Sequence, residues 1–480
     1  MDQRANGRKL LAELAALLAS WAATAHADSL SVGPGKAYAA PCAAVAAAHD
    51  NDVIEIDAAG DYGGDVCQIS KNGLTLKGVG GRAKLDAQGK NAGGKAIWVI
   101  SGHDTTVEDL EFTGATVPDQ NGAGIRQEGD NLTVRRCYFH DNDDGILSNA
   151  STQSQILIEY SEFGQNGFGD GYSHNMYIGN VARFTLQYSY SHDAKVGHLV
   201  KSRAAQNYIL YNRLSGELGS SSYELDLPNA GTSVVLGNLI EQGPNTENPS
   251  LLAYGLEGTA PGNPGHDLHV VNNTFVNDRP NGGTFLNIGT AIDTAAQVQN
   301  NIFAGQGTIT NQANALLGTN YSGPDARLAS RETYDYTLLP GSPCIDQGSD
   351  PGTVDAFTLS PSAQYVHPGQ SRPRQAVDTI DIGAYEFGTD QAGTGGSPGG
   401  AGSSNGRAGG AGAATASAGV AGQLGAGGSV PAGSAESGSG CSCRASRASR
   451  KSDAGWLPFV LFTPLAALFR ARIRARRRRD

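Results

Sequence analysis

Leu132-Thr133-Val134-Arg135-Arg136-Cys137-Tyr138-Phe139 and His269-Val270-Val271-Asn272-Asn273-Thr274-Phe275 share one pattern. An apolar reference residue is followed three positions later by a small or amide residue, and five positions later by phenylalanine. The pattern recurs with references at Leu76, Val107, Val134, Ile158, Leu186, Ile209, Val235, Val270 and Val298. Spacings run from 23 to 35 residues. Val79, Leu110, Cys137, Ser161, Ser189, Asn212, Asn238, Asn273 and Asn301 hold the third position, and Phe112, Phe139, Phe163, Leu214, Ile240, Phe275 and Phe303 the fifth. Such a register predicts two short strands meeting at a bend, with the bend residue itself in the left-handed backbone region that asparagine tolerates best among non-glycines. Stacked at about 4.8 Å, the asparagines would form a ladder of bonded amides. A constant motif with irregular spacing predicts an all-β solenoid, a parallel β-helix whose loops are extruded between strands. A β-propeller, with four strands in each repeat of about 40–50 residues, fits poorly.

The surrounding sequence divides the chain. Residues 1–27 read as a secretory signal peptide: Arg4, Arg8 and Lys9 precede the apolar run Leu10–Leu18, interrupted by Glu13, and Ala25-His26-Ala27 supplies a cleavage pattern. Residues 28–388 are the repeat domain. Its alanine-rich start, Pro41 to His49, predicts a short helix capping the open end of the coil, followed by a strand at Val53–Ile56. Export permits disulfides, and Cys42 and Cys67 are the expected pair, while Cys137 and Cys344 stay unassigned. Residues 389–440, nearly all Gly, Ala, Ser and Thr, predict a flexible linker. Residues 441–480 combine Cys441 and Cys443, an apolar run from Trp456 to Phe469 broken by Pro458 and Pro464, and seven arginines from Arg470 to Arg479. That run is short of the ~20 residues that span a bilayer, so membrane contact is expected through this tail alone, with its basic end cytoplasmic.

Charge follows the same division. The formal net charge is −11, with +1 on residues 1–27 and +9 on residues 441–480, which leaves −21 on the body between them. A body that acidic does not attract nucleic acid non-specifically, and a polyanionic ligand would need a local basic patch or bridging cations.

The repeat runs resemble those of right-handed parallel β-helix proteins of the pectate-lyase-like superfamily, and Gly341-Ser342-Pro343-Cys344-Ile345-Asp346 with Asp381-Ile382-Gly383-Ala384-Tyr385-Glu386 resembles the C-terminal ending common among them. The tail is similar to the MYXO-CTERM sorting signals of myxobacterial surface proteins. That likeness implies recognition by a sorting protease and display at the cell surface, anchored or released after processing. The fold resemblance implies nothing specific about reaction, since this scaffold carries lyases, hydrolases, epimerases and adhesins.

The densest charge cluster lies in Gly197-His198-Leu199-Val200-Lys201-Ser202-Arg203 and Ser222-Tyr223-Glu224-Leu225-Asp226-Leu227. Strand alternation with Val200, Ser202, Leu225 and Leu227 inward turns Lys201, Arg203, Glu224 and Asp226 outward together. Met176 and Ile178 inward would leave Asn175 and Tyr177 outward, and Leu256 inward would add Glu257. A one-residue slip reverses every assignment. With His198 and Tyr254, the latter as a platform for a sugar ring, these residues define an expected site for an acidic polysaccharide.

Elimination from a uronate needs a base for the proton α to the carboxylate and cations that neutralise the carboxylate. Val200-Lys201-Ser202 followed by Asn207 is similar to the Lys-Ser segment of the alginate lyase and chondroitinase B group, which implies Lys201 as base. Tyr223-Glu224-Leu225-Asp226 stands where that group carries Arg-His-Gly. The same resemblance implies a calcium ion, which Glu224, Asp226 or Glu257 would hold. Two other readings remain: glycoside hydrolysis by paired carboxylates among Glu224, Asp226 and Glu257, and a non-catalytic glycan-binding or adhesive surface protein in which the cluster is a salt-bridge ladder. Asn142-Asp143-Asp144-Gly145 resembles the aspartate pair of β-helix polygalacturonases, without their other motifs. His140 to Asp144 would suit calcium or a solvated turn, and Asp170, His174, His192 and His198 would suit zinc if they converged. Pro244 to Asn248 and Pro261 to Pro264 predict loops walling a cleft above Lys201.

Overall fold

The computed structural model describes residues 27–259 and 263–388. Residues 1–26, the linker at 389–440 and the tail at 441–480 lie outside the described residues, and with them the signal-peptide, linker and sorting-tail readings. The described chain winds into a right-handed parallel β-helix of about ten turns. Three parallel sheets of twelve, nine and ten strands form its walls. One turn shows the scheme. Leu132–Arg135 lies in the twelve-stranded sheet, Tyr138–His140 in the nine-stranded sheet and Asp144–Ser148 in the ten-stranded sheet, and the next turn stacks residue on residue, Val134 on Ile158 and Phe139 on Phe163.

Stacking of like side chains fills the interior. Phe112, Phe139 and Phe163 lie parallel with ring centroids 4.8 and 4.9 Å apart, and Phe275 and Phe303 are 5.2 Å apart, all essentially inaccessible to solvent. Offset aromatic stacking adds to the burial of apolar area. The third position of each repeat forms the amide ladder: Asn212 Nδ2 donates to Asn238 Oδ1 at 3.0 Å, Asn238 to Asn273 at 2.9 Å, Asn273 to Asn301 at 2.9 Å and Asn301 to Asn320 at 3.0 Å. Ser161 and Ser189 continue it toward the N-terminus by accepting the backbone N–H of Cys137 and Ser161.

One detail differs from expectation. The left-handed residue is the one before the ladder position: Asp109, Arg136, Tyr160, Tyr188, Tyr211, Asn272 and Asn300, with φ between 50° and 57°, and Gly237 at 69°. The ladder amides must point into the coil to reach each other, so the turn is made one residue earlier and its side chain projects outward.

Helix Pro41–Ala47 begins at proline, buries Pro41, Ala44 and Val45, and packs on strands Ser29–Val32 and Val53–Asp57 at the N-terminal end. The Cys42–Cys67 disulfide ties that helix to the first strand of the ten-stranded sheet, while Cys137 and Cys344 are buried free thiols. After Tyr321 the chain leaves the coil and runs back along its outside. Ser362 donates its N–H to Tyr211 Oη at 3.0 Å, and Gly383 donates to Asn300 O at 2.8 Å. The Asp381–Glu386 motif closes this segment around a buried ion pair, Arg374 with Glu386 at 2.9 Å.

Candidate functional site

The outer face of the ten-stranded sheet carries the site. Its strands Met176–Ile178, Val200–Ser202, Leu225–Leu227 and Ser250–Tyr254 are consecutive, and the register pairs Tyr177 with Lys201 and Lys201 with Asp226. Met176, Ile178, Val200, Leu225 and Leu227 enter the core, so their neighbours Tyr177, Lys201 and Asp226 stand side by side outside. Lys201 Nζ lies 3.3 Å from Asp226 Oδ2 and 3.7 Å from Glu257 Oε1. Arg203 Nη2 meets Glu257 Oε2 at 2.8 Å, Arg203 Nε donates to Tyr177 Oη at 2.7 Å, and Nη1 bonds Asn229 Oδ1. Both cations also lie over the Tyr177 ring, 5.5 and 5.6 Å from its centroid.

His198 completes the pocket floor. Its Nε2 lies 3.4 Å from Asp226 Oδ2, and its Nδ1 accepts the Tyr223 N–H at 3.2 Å. Accepting at Nδ1 puts the proton of the neutral ring on Nε2, which then donates to Asp226. His174 repeats the arrangement one coil earlier: its ring stacks on His198 at 4.5 Å and its Nδ1 accepts the His198 N–H at 3.0 Å. Burial first, and the Lys201 charge second, push His198 down to about 3, so it is neutral at any ordinary pH. Burial pushes Asp226 the other way, to about 6, against the pull of Lys201. Asp226 is almost wholly buried, whereas the Glu257 side chain is half exposed.

Four expectations need correction. Glu224 is not on this face. With Asn175 and Leu199 it occupies the corner position just before its strand, in register with Leu251 of the next coil, and that whole row turns into the interior. Gln242 Nε2 donates to Glu224 Oε2 at 3.3 Å, and burial holds the Glu224 carboxyl well above its ordinary range. Asn175 bonds Ser191 Oγ at 3.0 Å and His192 O at 2.8 Å in a second interior amide chain, with Asn166 and Asn142. Tyr254 pairs with Leu227 and so points inward, its hydroxyl on Gly231 O at 2.7 Å, where no sugar reaches it. Glu257 does reach the site, but from the turn after Gly255 and with Leu256 exposed, not as an alternating strand residue.

The metal readings find no suitable donor set. Asp226 and Glu257 oxygens already face the Lys201 ammonium and the Arg203 guanidinium, whose charges oppose a divalent cation there. Asp143 accepts the N–H groups of Val117 and Gly122, Asp144 accepts that of His174, and Asn142 belongs to the amide chain, so Asn142 to Asp144 are buried and self-satisfied, while Asp141 is exposed and His140 partly so. His192 sits on the nine-stranded sheet beside Glu162 and Asp193, apart from the His174–His198 stack. Among the described residues no three His, Cys, Asp or Glu side chains converge as metal ligands.

Of the two expected wall loops, residues 260–262 lie outside the described residues, and Asn248 and Asn263 are described. Asn263 Nδ2 donates to Asn229 O at 3.0 Å and Asn263 Oδ1 accepts from Asn180 Nδ2 at 2.8 Å, which sets Asn263 against the backbone of Arg203. Asn248 bonds the Tyr223 hydroxyl on the opposite rim. Sequence reading missed Asn180 and Asn229, whose contacts depend on which coils are adjacent, and it missed the His174–His198 stack, whose 24-residue separation is one coil.

A family profile described as a right-handed beta helix region matches residues 67–217. The crystal structure of pectate lyase Pel9A is similar at 13% identity and a TM-score of 0.43, covering 75% of this chain and 96% of that one. No curated protein matches the chain in sequence.

Proposed function

We propose that the Lys201 face cleaves an acidic, uronate-containing polysaccharide by β-elimination. The observation that carries this reading is the pair of adjacent, partly buried cations, Lys201 and Arg203, on the outer face of the sheet, with a buried carboxylate on one side and a half-exposed one on the other. Substrate carboxylate displaces the half-exposed Glu257 from Arg203, which then neutralises the charge that builds on the carboxylate. Lys201 reaches its basic form by passing a proton to Asp226, 3.3 Å away, whose elevated proton affinity suits it as acceptor. The proton on the carbon bearing the carboxylate moves to Lys201 Nζ. Its bonding pair becomes the new carbon–carbon double bond, and the glycosidic carbon–oxygen bond breaks with the leaving oxygen taking a proton from solvent. His198 and Tyr177 orient Asp226 and Arg203.

Glycoside hydrolysis is a second reading, favoured by one feature: Asp226 and Glu257 flank the same ammonium in unlike environments, one buried with a raised pKa and one solvated, as an acid and base pair requires. Incubation of the exported domain with polygalacturonate, alginate and chondroitin sulfate separates these. Ultraviolet absorbance of an unsaturated product indicates elimination, new reducing ends without it indicate hydrolysis, and retention without products indicates a binding protein. Unchanged turnover in Lys201→Ala would remove the lysine from the mechanism.

The setting is proposed on the same footing. Residues 1–27 direct export, consistent with the Cys42–Cys67 disulfide, and residues 441–480 are processed by a sorting protease that leaves the domain at the cell surface.

A further inference from the structure

The residues that turn each coil between the twelve- and nine-stranded sheets project outward, and three in succession are tyrosines. Tyr160 and Tyr188 stack with centroids 4.9 Å apart, and Tyr188 and Tyr211 at 5.7 Å. At one end the C-terminal segment covers the stack, through the Ser362 bond to Tyr211 Oη. At the other end it stops. The corner residue of the preceding coil is Arg136, whose guanidinium turns back to Asp109 at 2.8 and 2.9 Å and to Glu108 at 3.1 Å. Among the described residues no ring or guanidinium stacks on the second face of Tyr160.

A cavity of about 590 Å³ opens there, walled by Tyr160, Arg82, Arg136 and the turn at Pro368-Gly369. Its other lining is Gly78 and Gly81, which bring no side chains into the space, Gln370, and Asp109, whose carboxylate is held by Arg136. Arg136 is neutralised by its carboxylates. Arg82 is not: its Nε donates to Arg136 O at 3.2 Å, and it makes no ion pair among the described residues. The pocket thus offers one uncovered aromatic face, one guanidinium outside any ion pair and the open space over two glycines, with the Asp109 carboxylate neutralised by Arg136.

We propose that this cavity is a second carbohydrate site, which takes one acidic sugar residue with its C–H face on Tyr160 and its carboxylate on Arg82. The ring supplies the missing rung of the tyrosine stack, and the guanidinium supplies a local basic spot on an acidic body, separate from Lys201 and Arg203. It lies on the edge of the coil away from the ten-stranded sheet, so it retains polymer near the Lys201 face without taking part in chemistry. The proposal shares the ligand class of the reading above but does not require turnover.

Calorimetric titration of the exported domain carrying Lys201→Ala, with trigalacturonate and with neutral maltotriose, tests it. The acidic trimer should bind, and adding Arg82→Gln should weaken that binding about tenfold, the loss of one charge-assisted contact. Tyr160→Ala should do the same. Maltotriose should not bind comparably. Arg82 is exposed, so its substitution leaves the fold intact. An unchanged isotherm in Arg82→Gln, or equal binding of maltotriose, overturns the second site. Absence of products from the unsubstituted domain, with Arg82-dependent binding retained, overturns only the lyase reading.

Discussion

Asp226 and Glu241 show how burial sets the behaviour of single carboxylates in this coil. Asp226, raised to about 6 with Lys201 at 3.3 Å, must be ionised to accept the lysine proton. Turnover should therefore rise tenfold per pH unit below about 6 and level off above it. Asp226→Asn should lose this limb and cut the rate by roughly 10²–10⁴, the range for removing a proton-transfer partner. A pH–rate profile on the polyuronate that is cleaved checks both. Glu241 is raised to about 7, chiefly by burial, although its Oε2 accepts the Ser215 hydroxyl at 2.7 Å and the Glu217 N–H at 2.9 Å. Between the ordinary carboxylate value of 4.5 and about 7 the folded chain binds the extra proton, so this residue makes stability fall as pH rises through that window. The full swing is about 3 kcal/mol at 1.36 kcal/mol per unit. Glu241→Gln should flatten the decline, with a melting temperature above that of the parent at pH 8 and no gain at pH 4. Parallel melting curves for the two proteins across that range would sink the assignment.

At the scale of the element, the strand with its corner is the unit that sequence reading handles well in the middle and badly at the ends. Alternation places Tyr177, Lys201 and Asp226 outside correctly because each sits at the centre of a three-residue strand whose two flanking residues are buried. It fails for Glu224 and Asn175 because both stand in the corner, where the chain turns toward the next sheet and period two no longer applies. Arginine and tyrosine at the left-handed positions gave no signal for the turn, since those types carry no strong backbone preference for it, whereas Asp109, Gly237, Asn272 and Asn300 are types that favour it. The amide ladder was readable from repetition alone. Asn238 shows its worth: it donates to Ile209 O and Asn273 Oδ1, and it accepts the backbone and side-chain N–H groups of Asn212. Asn238→Ala strands buried partners on both adjacent coils and should cost on the order of 3 kcal/mol, several times a surface substitution. Denaturant melts comparing Asn238→Ala with Gln206→Ala, on the outer side of the same wall, measure the difference.

Across the whole domain, contacts between coils are local, so a solenoid of this kind is stabilised piece by piece from neighbour to neighbour. The C-terminal segment is the exception, because it spans many coils: Gly383 reaches Asn300, Ser362 reaches Tyr211, and Gly369 lies against Tyr160. Arg374 holds that segment shut. Its Nε bonds Glu386 Oε2 at 3.0 Å, Nη1 bonds Gly383 O at 2.8 Å and Nη2 bonds Asp381 O at 3.0 Å, with the side chain almost completely out of water. Breaking a buried pair from one side leaves a charge in a dry site and costs about 3–5 kcal/mol, whereas replacing both partners by apolar groups is close to neutral. Arg374→Met should therefore release residues 326–388 from the coil before the coil itself unfolds, and trypsin should cut at Arg331 or Arg372 much faster than in the parent. Arg374→Met combined with Glu386→Leu should restore much of the protection. The coil beneath, with its sheets and ladders intact, should keep its far-ultraviolet spectrum in both variants, and the acidic-sugar pocket at Tyr160 should lose its Pro368-Gly369 wall only in the single one. Equal trypsin rates in the parent and Arg374→Met would mean that the segment is held by its apolar contacts with the coil, and that the ion pair is incidental to its docking.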